Sequence, residues 1–473
     1  MATRPGLVRA GAILCALVFW LIAGPAAARV FDAETFTLDN GMRVVVVTNR
    51  TAPVVSHMVW YGVGAADEPP GQSGVAHFLE HLMFLGTDAV PEGEFSEIVA
   101  RHGGEQNAFT SWDYTAYFQN VAVDRLPLMM ELEADRMANL AVGDLRALNE
   151  RNVIVEERRQ RIDNDPSARL NEQMFAALFQ NHPYGTPIIG WAHEIQGLTL
   201  DDAVEFYRDW YAPNNAVLVV SGDIDAEALR PLAELTYGRI PARPVAERVR
   251  PREPEVAAER QVTVRDEGVQ LPSWRRFYQA PSYINSDGAD PYAVQVLNEI
   301  FGAGSTSRLY RSLVVDQGVA VGAGSAYSPN DIDYSIFGVF VTPQAGTEPA
   351  EVEAAVDAEI DRLLEEGVED EEVAAARERL ATEAIYARDS LTGPARTIGM
   401  ALTIGRSLED VQAWPERIRA VTAEDVMAAA RHVLQPERSV TGELLPVRDD
   451  LAMAPLPPGD AGPAVTPTEE IEQ

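Results

Sequence analysis

Residues 77 to 81 read His77-Phe78-Leu79-Glu80-His81, preceded by Ser73-Gly74-Val75-Ala76 and followed by Leu82-Met83-Phe84-Leu85-Gly86. Positions i, i+3 and i+4 of a helix share one face, so His77, Glu80 and His81 project together. Two imidazoles at that spacing can grip one zinc ion, with the carboxylate beside the position where water binds. The same letters would suit a core-facing helix, because Phe78, Leu79, Leu82, Met83 and Phe84 are apolar. Two observations favour the metal. The chain has seven histidines, and two of them fall at ligand spacing. A glutamate buried in so apolar a helix also needs a partner, since an unpaired buried charge is costly. Ser73 is the expected helix cap and Gly86 the expected stop.

Catalytic zinc sites use three protein ligands. The candidate third lies in Glu150-Arg151-Asn152-Val153-Ile154-Val155-Glu156-Glu157-Arg158-Arg159. Glu150 and Glu157 are two helical turns apart and share a face, whereas Glu156 points about 100° away from Glu157. Taken alone this run is an ordinary charged helix surface. The upstream histidines give it a second reading.

Together these segments resemble the inverted-motif zinc peptidases of the pitrilysin, or insulinase, family, in the short two-domain form of the processing peptidases. The resemblance extends through Gly103-Gly104-Glu105-Gln106-Asn107-Ala108-Phe109-Thr110-Ser111-Trp112-Asp113-Tyr114-Thr115, His182-Pro183-Tyr184-Gly185 and Pro213-Asn214-Asn215-Ala216, and spans about residues 35 to 445. It implies one zinc ion per chain, with His77, His81 and Glu157 as its ligands. It makes Glu80 the general base toward zinc-bound water, and Glu150 a catalytic-site acid behind the ligands. It also implies an edge strand, Asn107, Ala108, Phe109 and Thr110, on which an extended peptide substrate pairs by its backbone.

The implied fold class is α+β, with two homologous mixed α/β sandwich domains forming half of a clamshell chamber. The expected divisions are a signal peptide over 1–28, a zinc-binding peptidase domain over 30–239, a linker over 240–259, a second domain without metal over 260–445, and an acidic, proline-rich, disordered tail over 446–473. In the first domain, β-branched runs predict strands at Val44 to Val47, Val54 to Trp60 and Val217 to Gly222. Helices are expected at Leu126 to Asn139, Asp144 to Arg161, Ala168 to Phe179 and Thr199 to Trp210. The linker reads as extended, with Pro241, Pro244, Pro251 and Pro254. The second domain is expected to hold strands at Phe277 to Ala280 and Tyr334 to Thr342. Its expected helices are Tyr292 to Phe301, Ala350 to Leu364 and Glu371 to Arg388.

The N-terminus has Arg4 and Arg9, an apolar stretch from Ala10 to Gly24, and Ala26-Ala27-Ala28 as a cleavage site. This predicts export to the periplasm, with secretion or an uncleaved anchor as alternatives. No later segment is apolar enough to span a membrane. The one cysteine, Cys15, lies inside the leader, so core burial rather than disulfides must stabilise the mature chain. The formal net charge is −34, and every cation is arginine. That sign argues against nucleic acid as a partner and favours cationic peptides.

The pattern departs from active single-chain relatives after Gly302-Ala303-Gly304-Ser305-Thr306-Ser307-Arg308-Leu309-Tyr310-Arg311-Ser312-Leu313. The resemblance places an arginine next and a tyrosine seven residues on, to hold the substrate and the tetrahedral intermediate. Here the two slots are Val314 and Val321. Neither donates a hydrogen bond, and such donors carry several kcal/mol of barrier. The expectation is therefore the metal-bearing subunit of a heterodimer, its homologous partner supplying the arginine and tyrosine. A homodimer, or substitution by Arg308, Tyr310, Arg311 or Tyr327, is the alternative. The expected activity is zinc-dependent endopeptidase cleavage of peptides or unfolded segments. A family fold that only binds or scaffolds is the alternative from another functional class.

Overall fold

The computed structural model describes residues 30–447 except positions 255, 257 and 287. The expected leader and nearly all of the expected tail lie outside the described residues.

The valine run at 44 to 47 shows how the first half is built. Successive side chains of a strand point to opposite faces. Val44 and Val46 enter one core, while Val45 and Val47 enter another on the opposite face. Val59 and Tyr61 divide from Met58 and Trp60 in the same way, as do Leu218 and Val220 from Val217 and Val219. A sheet apolar on both sides must be covered on both sides.

The first half contains β1 (Ala33–Thr37), β2 (Arg43–Thr48), β3 (Val54–Tyr61), α1 (Val75–Leu82), α2 (Glu94–Arg101), β4 (Glu105–Thr110), β5 (Thr115–Ala122), α3 (Leu126–Asn139), α4 (Asp144–Arg158), α5 (Pro166–Leu178), α6 (Leu200–Trp210), β6 (Ala216–Gly222) and α7 (Ala226–Leu235). The second contains β7 (Arg260–Asp266), β8 (Ser273–Ala280), α8 (Pro291–Phe301), β9 (Ala320–Tyr327), β10 (Ser335–Pro343), α9 (Pro349–Glu366), α10 (Asp370–Asp389), α11 (Gly393–Thr403), α12 (Ala423–Val433) and β11 (Ser439–Pro446). The sheet orders are β1-β2-β6-β3-β5-β4 and β7-β11-β8-β10-β9. Without β1, the first order matches the second strand for strand. The match includes the single parallel pair in each sheet, β2 with β6 and β7 with β11. This repeated topology is the α+β architecture expected of a duplicated fold.

The halves exchange helices. α11, from the second half, covers the far face of the first sheet through Ala395, Ile398, Ala401 and Leu402. α5, from the first half, covers the far face of the second through Leu170, Met174 and Leu178. Each seam is tight, and against the rigid Trp60 ring it demands a glycine. A Cβ on Gly399 would collide with the Trp60 indole, and one on Gly442 with the Met174 thioether. Gly399→Ala should therefore destabilise the chain by about 1–3 kcal/mol, the usual cost of overpacking. An unchanged midpoint in thermal and urea unfolding would contradict this seating.

Several boundaries differ from expectation. α4 ends at Arg158, and residues Arg159–Asp163 form a wider π-helical turn instead of continuing the α-helix. α1 is preceded by Gly74 in the left-handed conformation, and Ser73 does not cap it. The Ser73 hydroxyl instead accepts from the Trp191 amide at 2.9 Å. α1 stops at Leu82, well before Gly86, where the backbone next turns left-handed. β11 takes in Pro446, which pairs with Asp266.

The stretch after Ile240 is irregular but not loose. Arg250 reaches Asp67 at 2.9 Å and Asp113 at 2.5 Å in the first half, and Asp333 at 3.0 Å in the second. Arg248 also meets Asp67, at 2.9 Å. The Glu253 carboxylate accepts from the backbone amides of Gln180, Asn181 and His182. The segment is thus a strap across both halves.

Candidate metal centre and active site

α1 carries the motif on a helix whose other residues anchor it. Val75, Ala76, Phe78, Leu79 and Leu82 sink into the main core beneath the sheet. The helix start is held by Glu68, whose carboxylate accepts from the amides of Gly74 and Ala76, both at 2.9 Å. This buried acid does the capping expected of Ser73. Burial raises its pKa well above the ordinary value, against those two amide hydrogen bonds.

α4 crosses α1 so that Glu150 and Glu157 both face His81. Glu150 Oε1 lies 2.7 Å from His81 Nδ1, and Glu157 Oε2 lies 3.3 Å from His81 Nε2. The same Glu157 oxygen is 3.8 Å from His77 Nε2. With Nδ1 donating to Glu150, Nε2 is the nitrogen that would face a metal once its own proton leaves, the arrangement a metal-binding imidazole needs. Ligand atoms of His77, His81 and Glu157 all lie within 4.8 Å of one another. They form the one such group among the described residues. His77 Nδ1 is buried without a hydrogen-bond partner, so its other nitrogen makes the ring's remaining polar contact. Two imidazoles and one carboxylate form a donor set that suits zinc.

Glu80 sits beside this group and is buried. Burial raises its pKa, opposed by a hydrogen bond that the Thr110 hydroxyl donates to Oε2 at 2.5 Å. Asn107, Ala108, Phe109 and Thr110 do lie along this site. With the metal-ligand candidates they wall a cavity of about 610 Å³. β4 pairs only with β5, which leaves its outer edge without a strand. Asn107 Oδ1 accepts from the Ala108 amide at 2.9 Å, and the Phe109 ring packs edge-on against Trp60.

Three features escaped sequence reasoning. One is Glu68 as the cap. Another is the grip of Thr110 on Glu80. The third is Arg161, which the π turn brings within 2.8 Å of Glu157 Oε1, so that Oε2 is the oxygen left to the histidines. Its four-residue spacing from Glu157 was a usable signal, since such pairs meet on a helix.

Without an ion, the three candidate ligands hold protons unequally. Burial, then the neighbouring His81, pushes His77 down to about 4. Burial also opposes charge on His81, but hydrogen bonds to Glu150 and Glu157 outweigh it and push the ring up to about 9. The hydrogen bond to His81 lowers Glu157. At neutral pH only His81 must therefore lose a proton to bind zinc. Zinc affinity should fall about tenfold for each pH unit below about 9, and level off above it. Competition against a chelator across pH 6 to 10 measures this, and a flat profile would refute it. By the same contacts, Glu150→Ala should weaken zinc binding about 10–100-fold while the fold is kept, as loss of a partner behind a metal ligand does. Unchanged affinity in that variant would remove Glu150 from the site.

Residues 43–191 match the family model described as insulinase, peptidase family M16, and residues 197–380 match the one described as the peptidase M16 inactive domain. The zinc protease PqqE of Helicobacter pylori is 35% identical over 340 residues, which is 70% of this chain and 74% of that protein. The crystal structure of a protease from Helicobacter pylori superposes with a TM-score of 0.81 at 28% identity, covering 88% of this chain and 99% of that one. The first half of the periplasmic protease PqqL from Escherichia coli shares the fold, with a TM-score of 0.72 at 20% identity over 89% of this chain and 93% of that one.

Proposed function

The chain belongs to the insulinase family, M16, of peptidases, and from that premise we infer that it is a zinc-dependent endopeptidase acting on extended peptides. The observation that carries this reading is the convergence of His77, His81 and Glu157 within 4.8 Å. These three residues would hold the zinc ion. When bound, zinc supplies Lewis acidity toward the scissile carbonyl and makes water a better acid.

The protein's own groups do the rest. The free edge of β4 binds the substrate backbone as an added strand, which selects for extension more than for sequence. Glu80, steadied by Thr110, accepts the proton of the attacking water and returns it to the leaving amine. Glu150 holds His81 in the tautomer that faces Glu157. Arg161 occupies one oxygen of Glu157 and leaves the other for binding.

The chain is the metal-bearing subunit of a two-chain enzyme. Val314 packs against the core of the second half, and Val321 stands 52% exposed on the edge strand β9. Neither can donate to an oxyanion. Two of the possible substitutes are engaged elsewhere. Arg308 binds Glu372 at 2.9 Å, and the Tyr327 hydroxyl donates to the Pro281 carbonyl at 2.7 Å. Among the described residues no helix is long and apolar enough to cross a membrane. The leader-like N-terminus supports a place in the periplasm.

The test is zinc content and peptide cleavage for the chain alone and with a homologous subunit carrying the missing arginine and tyrosine. Stoichiometric zinc in wild type, its loss in a folded Glu157→Ala variant, and cleavage that rises sharply with the partner are expected. Full cleavage by the chain alone would refute the two-chain reading, and zinc retained by Glu157→Ala would refute the ligand set.

A further inference from the structure

Arg136, Arg158, Arg276 and Arg406 are buried arginines, and three of them are neutralised by carboxylates. Arg136 meets Glu133 at 2.6 Å, Arg158 meets Glu172 at 2.7 Å and Arg276 meets Asp357 at 2.5 Å. Arg406 is different. It is 8% exposed, and among the described residues its guanidinium contacts only neutral groups. These are the Tyr292 hydroxyl at 3.5 Å, the Asp410 carbonyl at 3.3 Å and the Tyr283 ring face at 3.7 Å. A buried cation without an anion is costly, and proteins ordinarily supply the counter-charge.

Arg406 borders a cavity of about 340 Å³, within the range of small-molecule sites. Its other walls are mainly apolar and come from both halves: Phe31, Leu380, Met400 and Val411, with Tyr283 beside the guanidinium. Glu383 also borders the cavity but forms no ion pair with Arg406. Arg406 is the cavity's one cation, Glu383 its one anion, and Gln295, Asn330 and Thr397 add neutral polar groups to a mainly apolar lining, so an anionic head group fits at the Arg406 end. We propose that this seam cavity is a second binding site, separate from the His77–His81–Glu157 group, for a small apolar carboxylate. The carboxylate pairs with Arg406, and the apolar body lies against Leu380, Met400 and Val411.

Two sources share that chemistry: a free fatty acid, and the carboxyl-terminal apolar residue of a cleaved peptide. Calorimetric titration of the zinc-loaded chain with decanoate, with N-acetyl-leucine and with decanol separates them. Saturable binding of at least one carboxylate is expected, with decanol at least tenfold weaker. Tightest binding by decanoate points to a lipid source, and by N-acetyl-leucine to a peptide source. Because the pocket joins both halves, the bound carboxylate should also raise Tm, as any ligand specific to the folded state does. Arg406→Met should weaken carboxylate binding at least tenfold without lowering Tm, since it removes an uncompensated charge. The proposal is overturned if neither carboxylate binds or if decanol binds as tightly as decanoate. It is also overturned if Arg406→Met binds the carboxylate unchanged, which would place the ligand at the zinc. Should that variant fail to fold, the comparison of decanoate with decanol still decides.

Discussion

Glu80→Gln should lower kcat by about 10²–10⁴ while leaving zinc content and substrate KM nearly unchanged, the span typical of a lost general acid–base group. Glutamine keeps the size and the acceptor oxygen that the Thr110 hydroxyl meets at 2.5 Å. It removes only the capacity to take a proton. The proposed zinc ligands His77, His81 and Glu157 are untouched, so metal analysis should give the same stoichiometry. A fall in kcat without a rise in KM separates this loss from damage to the β4 edge, which would weaken binding in ground state and transition state alike. Thr110→Val tests the same contact from the other side and should give a smaller loss in kcat, with Thr110→Ser restoring it. Wild-type cleavage by Glu80→Gln, with zinc in place, would remove the proposed mechanism.

Arg250→Ala should be the most damaging substitution for stability, costing about 3–5 kcal/mol, the usual result of removing one partner from a buried ionic cluster. The side chains of Asp67 and Asp113 are each only 1% exposed, and Arg250 meets both. Without it, Asp113 loses the cation facing it, and Asp67 keeps only Arg248. The Tyr184 hydroxyl, which donates to Asp113 at 2.7 Å, cannot neutralise that charge. Burial, then the charge on Asp113, already pushes Asp331 in this cluster up to about 7. Buried carboxylates without a cation are costly while they are charged. Their penalty is then largest at alkaline pH and fades as falling pH protonates them. Urea unfolding of wild type and variant at pH 8 and pH 5.5 should show the larger gap at pH 8. Equal midpoints at pH 8 would mean that the strap contributes nothing.

Much of this was readable from the chain because the relevant physics is local. The histidine and acid spacings depend on helix periodicity alone, and the helices that display them, α1 and α4, formed where the apolar and charged runs required. The valine runs became strands for the same reason. What escaped depends on contacts between distant segments. Ser73 satisfies the local rule for a cap, yet Glu68 folds back from the preceding loop and takes the position. Thr110 reads as part of a substrate edge, and only the packing of β4 beside α1 turns its hydroxyl onto Glu80. α11 went unread because Gly393, Pro394 and Gly399 are poor helix formers, although Gly399 is what lets the helix reach Trp60. β9 was hidden by its glycine- and alanine-rich sequence, which carries little strand propensity.

The crossed seating of α5 and α11 restricts how a peptide can be admitted. Parting the two sheets of one chain would strip Trp60 of its cover on one side and Phe277 on the other, exposing two apolar faces to water at once. A breathing motion inside the subunit is therefore the expensive route. In the proposed two-chain enzyme, the mouth should instead open where one polypeptide meets another, with each chain swinging as a single stiff jaw.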